Sequence, residues 1–473
     1  MVFASLYFIL KFLPFFLAGY FLMPGLRAKN LYLTIASYLF YGYFRLDFAV
    51  LMLFSTVVDY VCSRKLGASP VAEFATAEEE SARTSWKRKR WLVLSLCTNL
   101  GLLGWFKYAN LAVQSYFDLG GPEFEWEAII LPLGISFYTF QSMSYSIDVY
   151  RGHVKPVRSA LDLACYVSMF PQLVAGPIVR YREIQEQIVE RRHRLSRFGE
   201  GALGFLIGFS KKVLIADNAS LLVAPVFDQG EHGLLAAWIA TAAYAIQIYF
   251  DFSGYTDMAV GLGRMMGFEF PQNFRSPYRS NSITEFWRRW HMSLSSWLRD
   301  YLYVSLGGNR RGKVRTYFNL AATMLLGGLW HGASWTYLLW GGYQGAFLVI
   351  ERLFGKKSPW ELFGKTASIG ITFVLVLFGW AIFRADSIDR LGTVWGGLLG
   401  LHGVGEFAWP DQFREHAVLA LCLGLILCFV ARRTEQLIEA FRPSTLVWAT
   451  LAFLFSLGQL SVRDFSPFIY FQF

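Results

Sequence analysis

Long apolar runs separated by short charged segments extend along the whole of this 473-residue chain. A helix needs about 20 mostly apolar residues to cross the hydrocarbon core of a bilayer, which is about 30 Å thick. The runs lie at residues 2–23, 31–43, 48–62, 91–106, 128–147, 201–227, 233–250, 337–350, 369–383, 418–430 and 446–460. This pattern predicts an all-α polytopic membrane protein with about eleven to thirteen membrane helices.

One further apolar run, residues 161–178, is interrupted by Pro171 and by the pair Gly176-Pro177. Basic segments flank this run on both sides, so a full crossing would carry one of them to the outer surface. We therefore expect a re-entrant hairpin, whose irregular backbone must be covered by protein or water.

Clusters of Lys and Arg set the expected orientation, because cytoplasmic loops of membrane proteins are enriched in these residues. Residues 64–90 are expected to form a polar cytoplasmic loop, and the alternating charges of residues 179–200 predict an interfacial helix on the same side. The first apolar run lacks a basic start and a cleavage site, so we expect it to be retained as a helix. Both chain termini are then expected on the outer side of a single membrane domain, residues 1–473.

Composition supports the membrane assignment and narrows the possible partners. The chain is 55% hydrophobic and 16% charged, whereas a soluble domain is usually about a quarter charged. A net charge of +10 is explained by cytoplasmic loops, so no nucleic-acid partner is expected. The five cysteines form no CxxC or CxxH pair, so neither a disulfide framework nor a metal site is expected.

The stretch of residues 284–335 is the expected centre of the domain, because it places two histidines in a membrane context. His291 follows Trp290, and His331 follows Trp330 at the end of an uncharged run, residues 316–330. If a helix begins near Thr316, fifteen residues of about 1.5 Å each carry His331 about 22 Å into the bilayer. Ionisable groups at such depth are costly and therefore candidates for function.

Two interpretations of His331 follow from its position. A buried imidazole stays neutral and can remove a proton from a hydroxyl. Alternatively, His331 only makes a hydrogen bond between helices. Gly327 and Gly328 lie one turn before it, where the lack of side chains allows a second helix or a thin ligand to approach.

His291 is expected on a continuous amphipathic helix, with Trp287, Leu294 and Leu298 on its apolar face and Glu285 among the residues of its polar face. The alternative to a functional role is a polar side chain at the end of an interfacial helix. Several arginines surround this segment and could bind phosphate in bidentate fashion, or could simply be loop cations. These arginines are Arg288, Arg289, Arg299, Arg310 and Arg311.

Two carboxylates, Asp251 and Asp257, lie at the end of the apolar run 233–250, where Gly254 allows a break in the helix. Buried carboxylates need cationic partners, and we expect Arg288 or Arg289 to supply them. The expected role of both aspartates is a structural ion pair.

Several of these segments resemble the membrane-bound O-acyltransferase family, in particular its branch of alginate O-acetyltransferase subunit I. The resemblance is carried by ILPLGISFYTFQSMSYSIDVYRG, FPQLVAGPIVR, YFDFSGYTDMAVGLG, NSITEFWRRWHMSLSSWLRDYLYVSLGGNR and LLGGLWHGASWTYLLWG. It extends from the first helix to the closing SPFIYFQF. The combination of FWRRWH with GLWHGA is highly specific.

The resemblance implies a ring of helices around a thinned centre that is crossed by a tunnel or funnel. It implies that His331 is the catalytic histidine and that His291 occupies the second, Asn-or-His position of the family. Acetyl-CoA is then the co-substrate, and no cofactor is permanently bound. Its nucleotide would contact the arginines. Its pantetheine arm, which carries the thioester, would pass Trp290, Gly327, Gly328 and Trp330.

In this branch the acetyl group passes from the cytoplasm to partner proteins that finish its transfer to a polysaccharide in the periplasm. The expected location is therefore the bacterial inner membrane, with lipid as a further partner. Alginate, cellulose and peptidoglycan all remain possible polymers. Alternatives are a polysaccharide transporter, for which the 16 tryptophans could line a cavity, a non-catalytic scaffold, and transfer of a longer acyl chain.

Overall fold

The computed structural model describes residues 2–43, 45–67, 86–355, 358–410, 412–462 and 468–469. Within these ranges the chain is helical or irregular and forms no β-strand, which confirms the predicted all-α class. Five described helices are long and apolar enough to cross a membrane: Leu46–Gly67, Arg88–Asp118, Leu234–Met265, Lys365–Arg384 and Pro443–Val462. These spans confirm a polytopic membrane protein, while the larger number of eleven to thirteen stays a prediction.

The contacts divide the chain into two compact units. Unit 1 comprises residues 1–201 and 262–271, and unit 2 comprises residues 202–261 and 272–473. Two long helices, α10 (Leu195–Ser210) and α13 (Leu234–Met265), contribute residues to both units. The single domain predicted for residues 1–473 is not tested by this division and stays a prediction.

Unit 1 is built from nine helices among its described residues, together with the first turns of α10 and the last turn of α13. A π-helical turn, Phe8–Phe12, leads into α1, and another, Gly104–Tyr108, joins α4 to α5. The helices are α1 (Leu13–Leu22), α2 (Gly25–Gly42), α3 (Leu46–Gly67), α4 (Trp86–Leu103), α5 (Ala109–Asp118), α6 (Ile135–Arg151), α7 (Ala160–Ser168), α8 (Phe170–Leu173) and α9 (Tyr181–Val189).

Two predicted segments of unit 1 have boundaries that differ from the structure. The expected loop 64–90 is helical at both ends, in α3 and α4, and residues 68–85 lie outside the described part. The expected interfacial segment 179–200 is helical at Tyr181–Val189 and again from Leu195, with a break between the two pieces. The interruption at Pro171 is confirmed, since α7 ends before Met169 and α8 begins at Phe170. The re-entrant path itself stays a prediction.

Unit 2 carries both candidate histidines. A π-helical turn, Lys211–Ala216, continues α10, another, Leu298–Tyr303, continues α15, and 3₁₀ turns lie at Pro277–Arg279 and Pro359–Phe363. The helices are α10 (Leu195–Ser210), α11 (Asp217–Ser220), α12 (Ala224–Phe227), α13 (Leu234–Met265), α14 (Ile283–Trp287), α15 (Met292–Trp297), α16 (Gly312–His331), α17 (Trp335–Leu353), α18 (Lys365–Arg384), α19 (Ile388–Leu398), α20 (Arg414–Val430), α21 (Thr434–Glu439) and α22 (Pro443–Val462).

The predicted helix break at Gly254 is wrong, because α13 runs without interruption from Leu234 to Met265. Gly254 serves close packing instead. A Cβ atom there would lie 2.6 Å from the carbonyl oxygen of Gly208, so the small residue lets α10 and α13 pack backbone against backbone.

Helices α16 and α17 form a tight hairpin around a pair of glycines. A Cβ atom at Gly328 would lie 2.2 Å from the carbonyl oxygen of Tyr337, and one at Gly341 would lie 2.4 Å from that of Met324. Helix α16 begins at Gly312, one turn earlier than predicted, and ends at His331. The hairpin therefore fixes His331 at the end of a helix whose last turn is held firmly by its neighbour.

Candidate active site

His291 lies between two short helices, and the continuous amphipathic helix predicted for it is wrong. Its backbone is left-handed, with φ 41° and ψ 54°, so α14 ends at Trp287 and α15 starts anew at Met292. This conformation is uncommon outside glycine and costs about 1–3 kcal/mol, which the surrounding contacts must offset. Such outliers are concentrated at functional sites.

The side chain of Asn273 contacts His291 from the segment that precedes the Pro277–Arg279 turn. Its Oδ1 atom lies 3.1 Å from His291 Nδ1, and it also accepts hydrogen bonds from the backbone N–H of Ser293 at 3.1 Å and the Ser293 hydroxyl at 2.9 Å. The backbone N–H of Met292 donates to the Asn273 carbonyl at 2.9 Å. The two segments are therefore fixed to each other on both sides of the imidazole.

These contacts determine which nitrogen of His291 carries the proton. The backbone N–H of Ser293 can only donate, so the Asn273 atom that it contacts must be the amide oxygen. An oxygen can only accept from Nδ1, and Nδ1 therefore carries the hydrogen. The lone pair of the neutral ring is then on Nε2.

His291 is completely buried, with 0% of its surface exposed, and it lies outside the membrane-spanning helices. Burial lowers its pKa from 6.5 to about 3, because the charged form loses its hydration. The ring of Phe252 packs edge-on against the imidazole at 4.7 Å. His291 is consequently a neutral imidazole at physiological pH.

His331 is the last residue of α16, and its ring lies beside that of His291. The two ring centroids are 6.3 Å apart, and His331 is 5% exposed. Aromatic rings surround His331, with Trp330 at 5.1 Å, Trp340 at 5.2 Å and Phe383 at 5.3 Å. The structure thus brings the two predicted histidines together, while their chemical roles stay predictions.

Four other residues were predicted to contact the extended arm of acetyl-CoA, and their surroundings in the structure differ. Trp330 contacts both histidines, since its ring centroid also lies 6.1 Å from that of His291. Trp290 packs instead into an aromatic cluster, 4.8 Å from Trp380. Gly328 is closed off by the backbone of α17, so the expected passage of a ligand beside it is wrong. A Cβ atom at Gly327 would meet only the Leu298 side chain, at 3.2 Å.

Most of the arginines predicted to bind phosphate either pair with a carboxylate or are exposed to solvent. Arg289 pairs with Glu285, and Arg299 pairs with Asp300 at 2.7 Å while remaining 65% exposed. Arg310 is exposed on the loop before α16, as is Arg311. Arg288 alone of this set lines a cavity of about 500 Å³.

That cavity also contains Arg352, at the end of α17, which the sequence did not single out. Three carboxylates line it as well: Glu285, Glu351 and Glu361. Glu285 is held by Arg289, and Glu351 accepts backbone hydrogen bonds from Ile283 and Thr284 at 2.6 and 2.8 Å.

Asp251 and Asp257 are both paired, but the predicted partners, Arg288 and Arg289, are wrong. Asp251 lies 2.8 Å from Lys212, and Asp257 lies 2.7 Å from Lys211. Lys212 also contacts Asp217 at 2.5 Å. The cations come from the π-helical turn after α10, which packs against α13. Nothing in the spacing of the sequence indicates that contact.

No three His, Cys, Asp or Glu side chains in the described ranges lie close enough to hold a metal ion. The residues that sequence reasoning missed are Asn273, Trp340 and Arg352. Asn273 is 18 residues from His291, and an isolated Asn in an irregular segment carries no periodic signal.

Comparison with known proteins identifies the family. The profile described as MBOAT, membrane-bound O-acyltransferase family, matches residues 152–383. A probable alginate O-acetylase, AlgI, of Pseudomonas putida is 41% identical, with 100% of both chains covered. The peptidoglycan O-acetyltransferase of Helicobacter pylori is 33% identical over 98% of this chain and 96% of that protein.

A more distant relative is the teichoic acid D-alanyltransferase of Bacillus subtilis, 29% identical over 53% of this chain and 68% of that protein. The family match includes His291, His331 and Asn273, and the full-length relatives extend it to both ends of the chain. With its buried histidine pair and its membrane-spanning helices, the chain belongs to the membrane-bound O-acyltransferase family and is a multi-pass membrane O-acyltransferase.

Proposed function

We propose that this protein moves an acetyl group from cytoplasmic acetyl-CoA across the bacterial inner membrane for O-acetylation of an exopolysaccharide such as alginate. The observation that carries the proposal is the pair of buried imidazoles, 6.3 Å apart, in a full-length relative of a probable alginate O-acetylase. Acetyl-CoA is a co-substrate here, and partner proteins in the periplasm complete the transfer to the polymer.

The names of the relatives support acyl transfer to a polymer as the reaction class. The P. putida relative is described as an O-acetylase of alginate, and the H. pylori relative as an O-acetyltransferase of peptidoglycan. Because the latter covers 98% of this chain, peptidoglycan is the second candidate acceptor. Cellulose remains a third polymer of suitable chemistry.

The proposed reaction uses His331 as a general base. It removes the proton from an acceptor hydroxyl, whose oxygen attacks the carbonyl carbon of the acetyl thioester. The carbon–sulfur bond breaks, an ester forms, and the proton passes to the departing CoA thiolate. His331 ends α16, and the negative end of the helix dipole stabilises the charge that the ring carries between the two transfers.

A variant of this mechanism has His331 take the acetyl group itself before passing it to the hydroxyl. Both versions need a site without free water, since water would hydrolyse the thioester or the acetyl-imidazole. The rings of Trp330, Trp340 and Phe383 around His331 suit this requirement.

His291 is proposed to orient the acceptor through a hydroxyl next to the one that His331 deprotonates, because the reacting hydroxyl has a single proton and cannot donate it to both rings. The alternative role for His291 is to donate a hydrogen bond to the developing oxyanion, but the tautomer held by Asn273 leaves a lone pair on Nε2. A lone pair accepts a hydrogen bond from a hydroxyl and cannot stabilise an oxyanion. We therefore assign His291 the role of acceptor.

Arg288 and Arg352 are the proposed contacts for the phosphates of CoA, because both line the cavity of about 500 Å³. The carboxylates Glu285 and Glu351 in its wall are engaged by Arg289 and by backbone N–H groups. Their negative charge is partly offset in this way, which reduces repulsion of a phosphate.

The proposal is tested by reconstituting the protein in proteoliposomes and measuring CoA release from acetyl-CoA and from palmitoyl-CoA. We expect protein-dependent release from acetyl-CoA, and a larger rise in KM for Arg288→Gln than for the exposed Arg310→Gln. Polysaccharide transport without CoA release would instead establish the transporter. Preference for palmitoyl-CoA would establish long-chain transfer, and the absence of both activities would favour the scaffold.

A further inference from the structure

We propose that Asn273 is a positioning residue that fixes the tautomer and orientation of the His291 ring, and so directs the Nε2 lone pair to a hydroxyl of the acceptor beside the one that His331 deprotonates. This inference rests on the proposed function of His291 and extends it to the side chain that holds the ring. Asn273 itself need not touch the substrate.

The first support is the number of contacts that converge on one atom. Asn273 Oδ1 lies within 3.1 Å of His291 Nδ1, the Ser293 backbone nitrogen and the Ser293 hydroxyl. Three donors around one carbonyl oxygen leave little rotational freedom to the amide. Asn273 is 1% exposed, so water cannot easily replace it as the acceptor.

The second support is the backbone around these side chains. The N–H of Met292 donates to the Asn273 carbonyl, and the N–H of Arg275 donates to the Arg289 carbonyl, both at 2.9 Å. These two bonds lie on either side of His291, whose left-handed φ of 41° would otherwise be unfavourable. Asn273 therefore holds both the backbone and the ring of His291.

The third support is that the side chain at position 273 is an uncharged amide and not a carboxylate. Aspartate could accept the same hydrogen bonds, but its charge would favour the imidazolium form, in which Nε2 carries a proton and has no lone pair. An uncharged acceptor keeps the ring neutral. Asparagine thus meets two requirements at once, a fixed acceptor for Nδ1 and no charge beside the ring.

The electrostatic surroundings of His291 come from several packed elements. His331 on α16 presents a titratable ring 6.3 Å from it. On α13, Asp251 precedes Phe252 and is paired with Lys212. Arg289, two residues before His291, is paired with Glu285. These pairings reduce the field at His291, so a new charge at position 273 would be the main change there.

The test compares Asn273→Asp and Asn273→Ala with the wild type in proteoliposomes. Because Asn273→Asp keeps the acceptor but adds charge, we expect activity that falls on acidification, with an acid limb at higher pH than in the wild type. For Asn273→Ala we expect kcat to fall at least about tenfold, with a smaller change in the KM for acetyl-CoA.

The matched control is Asn319→Ala, which removes another fully buried amide of unit 2, one that donates to the Gly308 carbonyl at 2.9 Å. It should lower stability without changing the shape of the pH profile. If Asn273→Ala keeps kcat within about twofold while His291→Ala does not, the positioning role is wrong.

A spectroscopic measurement separates this inference from the proposed function. With ¹⁵N-labelled histidine, solid-state NMR reports which ring nitrogen of His291 is protonated, and His291→Ala identifies the resonance. We expect protonated Nδ1 in the wild type and a mixture of tautomers in Asn273→Ala. An unchanged tautomer would overturn the inference. A changed tautomer with full activity of His291→Ala would uphold positioning and remove the catalytic role of His291.

Discussion

The buried ion pair of Lys212 and Asp251 shows how much one residue can contribute to the stability of this protein. Lys212 lies between Asp217 and Asp251, at 2.5 and 2.8 Å, and the side chains of Lys212 and Asp251 are only 3% and 1% exposed. Asp251 also accepts the backbone N–H of Ile469 at 2.8 Å. A buried charge of this kind is tolerated only because its partners are close.

Replacing Lys212 should therefore be costly. Lys212→Met leaves Asp251 buried without its cation, and we expect a loss of about 3–5 kcal/mol in the free energy of unfolding. The adjacent Lys211→Met is a matched control, because the Lys211 side chain is 22% exposed and water can partly replace the lysine. Thermal unfolding in detergent measures both. Equal losses for the two variants would contradict this account of the lysine.

The sequence was informative about these residues only where the chemistry is local. It singled out His331 at the end of an uncharged run and Asp251 directly after the apolar run 233–250, and it singled out His291 and Asp257 as polar groups near such runs. It did not identify their partners. Asp251 meets Lys212 and His291 meets Asn273 through packing of distant segments, and no spacing rule for a single helix encodes such contacts.

At the scale of elements, the hairpin of α16 and α17 depends on where its glycines face. A Cβ atom at Gly328 would meet the backbone carbonyl of Tyr337 at 2.2 Å, whereas one at Gly327 would meet only the Leu298 side chain at 3.2 Å. Backbone cannot move aside without displacing the helix, but a leucine side chain can rotate.

Two alanine substitutions test this difference. Gly328→Ala should push α17 away from α16 and, through His331 at the end of α16, reduce acetyl transfer strongly as well as stability. Gly327→Ala should be much milder in both respects. Activity and thermal unfolding of the purified variants measure the outcome. A harmless Gly328→Ala would show that the hairpin is looser than described.

Helix type was predictable along the chain, and helix ends were less so. The apolar run 233–250 indicated a helix, yet α13 continues for fifteen residues beyond it, to Met265. The carboxylate of Asp257 suggested the end of the span, but it pairs with Lys211 inside unit 2. Conversely, His291 ended a helix that looked continuous, because its contacts to Asn273 outweigh local propensity.

At the scale of the whole molecule, family membership and membrane-spanning helices agree with the physical character of the sequence. A low share of charged residues, 16%, and five helices apolar enough to cross a membrane are what membership of a membrane-bound family, shown by the full-length relatives, requires. The central tunnel, the cytoplasmic orientation of the basic loops and the periplasmic termini remain predictions.

The central claim is that acetyl transfer is carried out by the buried histidine at the end of α16. The most direct measurement is the rate of CoA release and acetyl transfer by purified His331→Ala in proteoliposomes, beside wild-type protein. We predict a loss of at least about 100-fold, with unchanged membrane insertion and thermal unfolding. Full acetyl transfer by a correctly folded His331→Ala protein would contradict the account.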